Sequence, residues 1–394
     1  KKLVQLVDNK LALRLVLSEA RLCLMMGDYY YSSLPTQHKT TSNYSAKMLW
    51  ANTDHGMLKQ TLEEHIVGVT SQSVRIAQQL PRFANGMETV YDVPLLRKRS
   101  PKLYHWQDVV VEKIREFRRN TEEQQTFFVV NMASTGCGKT LANAKIMQAV
   151  SDDEKSLRYI LALGLRTLTL QTGDEYRQKI GLDISELAVL IGSSAVRELH
   201  DIDQLEEPSV YGQETLQNET VYVNTENENQ QFLSIFFQGS QSSKHKALLY
   251  KPILVTTIDH LMGATETVRG GRYMLPFLRL LSSDLVIDEI DDFTKKDLIA
   301  IARLVHLAGM MGRNVTISSA TIPPDLAEGM YRAYIAGLSC HNAFFTETKR
   351  CNVVFCDEFK TVVQRLNTRD ESAYGKAHAS FIKKRIAKLE KQPI

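Results

Sequence analysis

Lys139 and Thr140 stand directly after Gly136-Cys137-Gly138, where an apolar run gives way to a helical pattern. A lysine there offers a point charge to the β- and γ-phosphates of a nucleotide, and the threonine hydroxyl can ligate Mg²⁺. Glycines without a Cβ let backbone N–H groups close around phosphate oxygens where the helix begins. Downstream, Asp288-Glu289-Ile290-Asp291 follows a second short apolar run. One carboxylate at such a strand end can hold the metal with its water shell, and the next can orient and deprotonate an attacking water. Asp288 is assigned to Mg²⁺ and Glu289 to the general base, with Lys139 as the third catalytic group. Past a third apolar run, Ser319-Ala320-Thr321 supplies small hydroxylic side chains. They can bridge the acidic turn, through Asp291, to a neighbouring domain and so couple hydrolysis to movement.

These residues need a scaffold that brings several strand ends together. Phe127, Phe128, Val129 and Val130 are β-formers and read as a buried strand, and LANAKIMQAV after Thr140 reads as a helix. Ala133-Ser134-Thr135-Gly136-Cys137-Gly138-Lys139-Thr140 between them is a phosphate-binding loop for ATP, with alanine at the first position of G-x-x-x-x-G-K-T. A chance glycine turn would not require both a strand before it and a helix after it. From Tyr104 onward, helices alternate with apolar strands, expected at Phe127–Asn131, Tyr159–Leu163, Ala188–Ile191, Ile253–Thr256, Leu285–Ile287 and Val315–Ile317. That alternation predicts a doubly wound α/β domain over residues 104–340 with a parallel sheet. The acid pair is expected on the strand adjoining the loop. Residues 201–246, rich in Gln, Asn and Glu, read as a surface insertion with a small hairpin at Val221–Val223. Residues 1–92 read as mainly helical, with a loose polar stretch at Leu34–Lys47 and a helix from Lys59 to Leu80 ended by Pro81. A basic linker spans 93–103, and residues 341–394, with one strand at Asn352–Cys356, read as the start of a link to another domain. The closing SFIKKRIAKLEK reads as a basic amphipathic helix with Phe381, Ile382, Ile386 and Leu389 on its apolar side.

A chain of 394 residues, 43% hydrophobic, can bury one or two substantial cores. Its net charge of +3 neither demands nor excludes nucleic acid, so any such surface must be local. Five cysteines without a C-x-x-C pair point to a reducing compartment rather than a disulfide framework. No apolar run approaches the ~18 residues that span a bilayer. A cytoplasmic protein with no membrane contact is expected, and a chain beginning at Lys1 with an amphipathic helix reads as a fragment.

The ordered set A-x-T-G-x-G-K-T, D-E-x-D and S-A-T resembles the first RecA-like domain of a superfamily 2 helicase. In that family a glutamine upstream of the loop, here Gln107, reads the adenine edge, and strand-end loops touch the backbone of a tracking single strand. The matching positions are Arg166, Thr167, Gln171, Thr257 and His260. The blocks Met132–Asn143, Ala162–Gly173, Thr256–Met262 and Ser318–Pro324 resemble more narrowly the CRISPR-associated helicase–nuclease of type I-F interference. Arg21–Pro35 and Leu49–Val69 look like the end of that family's HD nuclease domain, so the resemblance implies an α-helical nuclease remnant before the RecA-like sheet. HD nucleases hold divalent transition metals with His and Asp, and the positions implied here are Asp28 and His65. The only His-Asp dipeptide, His200-Asp201, falls beside the polar insertion and is set aside as chance.

The resemblance implies an ATP-dependent, 3′-to-5′ single-stranded DNA helicase coupled to a metal-dependent nuclease in antiviral defence. It also implies partners: single-stranded DNA, the crRNA-guided surveillance complex, the CRISPR integrase and a phage anti-CRISPR protein. Another superfamily 2 helicase, of restriction or repair, and an inactive scaffold for partner docking are the competing readings. The tail contains no Q-x-x-G-R-x-x-R. A motor of this kind needs an arginine from the opposing domain, with an effect of about 10³–10⁵ in rate. This chain alone is expected to bind ATP–Mg²⁺ weakly, turn it over poorly and leave DNA uncut; robust DNA-stimulated ATPase from it would contradict that.

Overall fold

The computed structural model describes residues 8–34, 49–54, 56–121, 123–164, 166–183, 185–190, 242–266, 272–368 and 370–391. They fall into two units, a smaller one of Val16–Gly86 with Gly212–Lys246, and a larger one of Met87–Tyr211 and Ala247–Ile394 together with the first residues to Leu15. The expected hairpin at Val221–Val223 and most of the polar segments 34–47 and 201–246 lie outside the described residues.

The smaller unit uses most of α1 (Lys10–Ser33), a hairpin of β1 (Trp50–Asp54) and β2 (Met57–Thr61), and α2 (Leu62–Phe83). Thr61 caps α2 by accepting from Glu64 N at 3.2 Å, and Glu63 and Glu64 complement the positive end of the helix dipole. The two helices meet closely at Gly27 and Gly68, where a Cβ would collide with Ser73 and Tyr31. The helical reading missed the hairpin, because WANTD and MLKQT lack a clean period-2 pattern. Pro81 does not end α2, which continues to Phe83. In the last turn a proline forfeits little more than one hydrogen bond.

The larger unit opens with β3 (Val90–Tyr91), α3 (Pro94–Arg97) and α4 (Trp106–Arg119). Residues 93–103 were expected to be a solvated linker, yet Val93 and Leu96 are buried. Lys145 also reaches the Lys98 carbonyl at 2.8 Å, Ser100 Oγ at 2.8 Å and Asp108 Oδ1 at 2.6 Å. The segment is a packed strap across the helix that follows the phosphate loop. Burial alone would raise the Asp108 carboxyl, but hydrogen bonds from Lys145 and Ser100 outweigh it and hold the group below the usual range.

The strands after the strap are β4 (Gln125–Asn131), β5 (Ser156–Leu157), β6 (Tyr159–Leu163), β7 (Leu187–Leu190), β8 (Ile253–Thr257), β9 (Asp284–Asp288), β10 (Val315–Ser318), β11 (Arg350–Cys356) and β12 (Thr361–Gln364). Eight of them form one sheet in the order β12-β11-β4-β10-β9-β6-β8-β7, parallel throughout except for β12. β4 is buried along its whole length, the pattern of a strand covered on both faces. The sheet is α/β and RecA-like in arrangement. Residues 341–394, expected to start a link, instead add β11 beside β4, β12 at the edge, and a terminal helix.

Between strands lie α5 (Lys139–Val150), α6 (Arg166–Glu175), α7 (Ser242–Tyr250), α8 (Asp259–Met262), α9 (Met274–Leu281), α10 (Lys295–Met310) and α11 (Pro324–Phe344), with α12 (Ala373–Leu389) last. α12 buries Tyr374, His378, Phe381 and Arg385, while Ile386 and Leu389, expected on its apolar side, are exposed. No described helix is long and apolar enough to cross a membrane.

Two arginines tie the strand connections together. Arg279, 0% exposed, donates to five carbonyls: Leu248, Leu249, Lys251, Pro252 and Tyr159. Arg158 donates to the carbonyls of Glu88, Leu249, Tyr250 and Ser282. Several of these belong to the last turn of α7, where a cation also meets the negative end of the helix dipole.

His341 is buried on α11 with Nδ1 3.3 Å from the Met310 carbonyl. Burial and then the Lys349 charge push it down to about 4 from 6.5. Between those values the unfolded chain takes up a proton that the folded chain refuses. The resulting stability is present above about pH 6.5 and fades as pH falls toward 4, by at most about 3 kcal/mol. Thermal unfolding between pH 7 and 4.5 should show this loss, and His341→Gln should flatten the slope.

Candidate nucleotide site

Register brings the site together before any side chain does. Ser318 at the end of β10 is level with Asn131 on β4 and with Asp288 on β9. The loop after β4, the acidic turn after β9 and the Ser-Ala-Thr segment after β10 therefore open at one carboxyl edge, where open α/β sheets bind ligands. The acid pair was expected on the strand adjoining the loop; β10 lies between, which places Ser319 between the loop and the acids.

Ala133 is buried and its N–H donates to Asn131 Oδ1 at 3.2 Å. Gly136 (φ 80°) and Gly138 (φ 77°) take the left-handed conformation that turns the chain into α5, whose N-terminus has no side-chain cap. Thr135 and Gly136 are exposed, and Cys137 and Thr140 are partly so. Uncapped N–H groups in such a cradle fit a phosphate. Trp106 Nε1 donates to the Cys137 carbonyl at 3.1 Å, and Gln107 Nε2 to the Gly138 carbonyl at 3.0 Å. Gln107 is 1% exposed and its Oε1 accepts from Ser100 Oγ at 2.8 Å. Both ends of its amide are engaged, so in this structure Gln107 braces the loop.

Lys139, 9% exposed, places Nζ 3.0 Å from Glu289 Oε1, close enough for an ion pair but not aligned as a hydrogen bond. Its buried donors are thus unsatisfied, which suits a phosphate. Asp288 is 6% exposed, and burial, with the Glu289 charge adding to it, pushes its carboxyl up to about 6. A nearby cation would favour the ionised form of a carboxyl so placed. Lys139, Thr140 and Asp288 fit a nucleotide with Mg²⁺. Glu289 sits at φ 50°, a strained conformation for a residue with a side chain.

Asp291 accepts from Ser319 Oγ and Thr321 Oγ1, and Ser319 Oγ also lies 3.3 Å from Glu289 Oε2. Thr321 N donates to Ser319 Oγ at 3.3 Å, and Ser319 N to the Asn131 carbonyl at 3.1 Å. Burial would raise the Asp291 carboxyl, but the two hydroxyls outweigh it and hold it low. Ala320, partly exposed, spaces the two hydroxylic residues.

The other candidates fare differently. Arg166 and Thr167 lie on α6 with side chains outside the described residues, and Gln171 on the same helix is exposed. Thr257 and His260, expected to touch DNA, are 1% and 2% exposed. Thr257 ends β8, which lies between β6 and β7 inside the sheet. In the smaller unit, His65 Nε2 lies 3.0 Å from Asp28 Oδ1, and His65 Nδ1 lies 3.0 Å from Gln60 Oε1. Gln60 is itself fixed, donating to the Tyr31 carbonyl at 3.0 Å and accepting from Asn52 at 2.9 Å. The pair is right in chemistry for a metal, but no group of three ligands occurs among the described residues, so no metal chemistry is derived from it. His200-Asp201 lies outside the described residues.

Sequence reasoning missed Glu358 and Arg385. Ser134 N donates to Glu358 Oε2 at 3.0 Å and Ser134 Oγ to Glu358 Oε1 at 2.6 Å, and Arg385 Nη2 donates to Ser134 Oγ at 3.1 Å. One signal was available: Asp357-Glu358 after an apolar strand repeats the pattern of Asp288-Glu289.

The hydroxyl network predicts a separation of functions. Ser319→Ala with Thr321→Ala should leave nucleotide affinity within about twofold while strand displacement by the full-length protein falls about tenfold or more. Equal loss of both would show that the hydroxyls merely hold the acidic turn.

Residues 100–290 match the family described as Type III restriction enzyme, res subunit. Along 96% of its length the chain is 40% identical to a protein named CRISPR-associated nuclease/helicase Cas3 subtype I-F/YPEST from Pseudomonas aeruginosa. A protein of the same name from Pectobacterium atrosepticum is 39% identical over 98% of the chain. Crystal structures of T. fusca Cas3-ADP and Cas3-AMPPNP superpose with TM-scores of 0.44 and 0.45 at 17% and 15% identity, covering 70% and 71% of this chain and 27% and 28% of theirs. The chain spans 35% and 36% of the two curated relatives. Over nearly its whole length it is thus similar to the type I-F CRISPR-associated nuclease/helicases, of whose length it matches about a third.

Proposed function

We propose that this chain carries the ATP-binding half of a helicase motor within a type I-F CRISPR nuclease/helicase. The observation that carries the proposal is the 3.0 Å approach of Lys139 Nζ to Glu289 Oε1, beside buried Asp288. Lys139 holds the terminal phosphates of ATP, and Thr140 and Asp288 hold Mg²⁺. Glu289 is freed from Lys139 as phosphate takes over the ammonium, and then orients the attacking water and accepts its proton. Asp291, bonded to Ser319 and Thr321, transmits the change at the acidic turn to the chain beyond β10. An arginine from an opposing domain completes charge stabilisation at the phosphate.

In the whole protein the motor translocates 3′-to-5′ on single-stranded DNA and feeds a metal-dependent HD nuclease, to which Asp28 and His65 contribute. DNA contacts at Arg166, Thr167 and Gln171, recruitment by the crRNA-guided complex, contacts with the integrase or a phage inhibitor, and a cytoplasmic location belong to the same proposal. A docking scaffold would have no use for a buried lysine with unsatisfied donors facing an acid pair. A restriction or repair helicase would share the nucleotide site but not the pairing of Asp28 with His65.

Lys139→Ala in the full-length protein tests the reading. Nucleotide affinity should fall about tenfold or more, and ATP hydrolysis and strand displacement should disappear, with partner recruitment retained. A variant that still displaces strands would sink the motor assignment.

A further inference from the structure

The turn after β11 opens beside the phosphate loop because Cys356 on β11 is level with Asn131 on β4, and Met132 N donates to the Cys356 carbonyl at 2.8 Å. The next two residues are acidic. Asp357 Oδ1 closes the turn by accepting from Phe359 N at 2.7 Å and Lys360 N at 2.6 Å. Glu358 grips both the N–H and the hydroxyl of Ser134, the residue that follows buried Ala133 in the loop. Arg385, reaching over from α12, places Nη1 3.3 Å from both Asp357 Oδ2 and Glu358 Oε2, and Nη2 against Ser134. All three charged side chains are mostly withdrawn from water.

The loop is thus held at both ends. Trp106 and Gln107 fix Cys137 and Gly138, while Glu358 fixes Ser134, leaving Thr135 and Gly136 exposed between them. Anchoring of this kind meets the cost of ordering the loop before a ligand arrives. It also creates a conflict, because two carboxylates now stand close to where a triphosphate must bind. One guanidinium between them offsets that charge.

We propose that Glu358 and Arg385 are positioning residues of the nucleotide site: Glu358 holds the start of the phosphate loop, and Arg385 shields an incoming triphosphate from the Asp357–Glu358 pair. The inference rests on the nucleotide-binding reading above and extends the ATP site into the segment beyond Arg350. It makes a signed claim. Loss of Arg385 exposes two negative charges, whereas loss of the Glu358 charge removes an anchor and a repulsion together. The arginine substitution should therefore hurt more, and the two effects should not add.

The test is titration of the full-length protein with a fluorescent ATP analogue and Mg²⁺, with steady-state kcat and KM alongside. Arg385→Met should raise Kd and KM about tenfold or more with kcat within about threefold, and Glu358→Gln should raise them only about threefold. The double variant should return to the level of Glu358→Gln, Arg385→Lys should recover most of the affinity, and added salt should shrink the Arg385→Met defect. Should Arg385→Met not fold, Arg385→Lys and Glu358→Gln carry the comparison. Parent-like affinity in the variants, or defects that multiply in the double variant, would overturn the proposal. The parent and Lys139→Ala are measured in parallel. A parent that binds no nucleotide sinks the functional reading itself, while a parent that binds and loses affinity only with Lys139→Ala sinks the Glu358–Arg385 inference alone.

Discussion

An ammonium group held almost out of water needs a negative neighbour, and Lys139 sets that demand at the centre of this structure. Leaving such a charge unpaired would cost several kcal/mol. Glu289 meets it across the sheet edge, from a backbone conformation that is itself unfavourable. That contact exists only because β4, β10 and β9 lie side by side with their ends level. A slip of one residue in either register would turn the acidic turn or the loop away from the other. Strand pairing and charge pairing are in this sense one constraint.

Around that contact the molecule surrounds the loop with polar groups that are already satisfied. The strap before α4 is pinned by Lys145, and through Ser100 and Gln107 the same strap reaches the Gly138 carbonyl. On the other flank, Glu358 and Arg385 reach Ser134. Away from the edge, Arg158 and Arg279 gather the carbonyls that end α7 and lead into β8. Neither of those arginines has a carboxylate among its described hydrogen-bond partners; main-chain oxygens do the solvating. Burial pulls both guanidiniums below their ordinary basicity, Arg158 to about 9 with the Arg313 charge adding to the effect, and the Arg158 charge adds to it for Arg279.

Local pattern revealed the elements whose chemistry is local. Strand β4, its loop and helix α5 occupy one continuous stretch, so residue types alone exposed them, and the later strands were legible as short apolar runs. What escaped depends on which strands become neighbours. Nothing in the order of residues places β10 between β4 and β9, or returns β11 to the far side of β4. Glu358 and Arg385 therefore looked like a surface acid and one cation in a basic helix. The hairpin β1–β2 escaped because its residues suit a strand poorly by themselves. Thr257 and His260 were read as surface groups from their place after a strand, but that strand lies inside the sheet rather than at its rim. Their burial is a tertiary fact that no spacing rule carries.

The place of β11 has a consequence for how this polypeptide can be divided. Its main-chain groups pair with β4 from Gln125 to Asn131, on the side opposite β10. A polypeptide cut after the Ser-Ala-Thr segment and α11 would contain every recognisable nucleotide-binding signature. It would nevertheless leave β4, a strand buried along its whole length, as a bare rim, with unpaired amides and carbonyls open to any passing chain. Such rims template association. The boundary suggested by signatures alone is thus the one that would bare this rim, and a division that keeps β4 paired on both sides must retain β11.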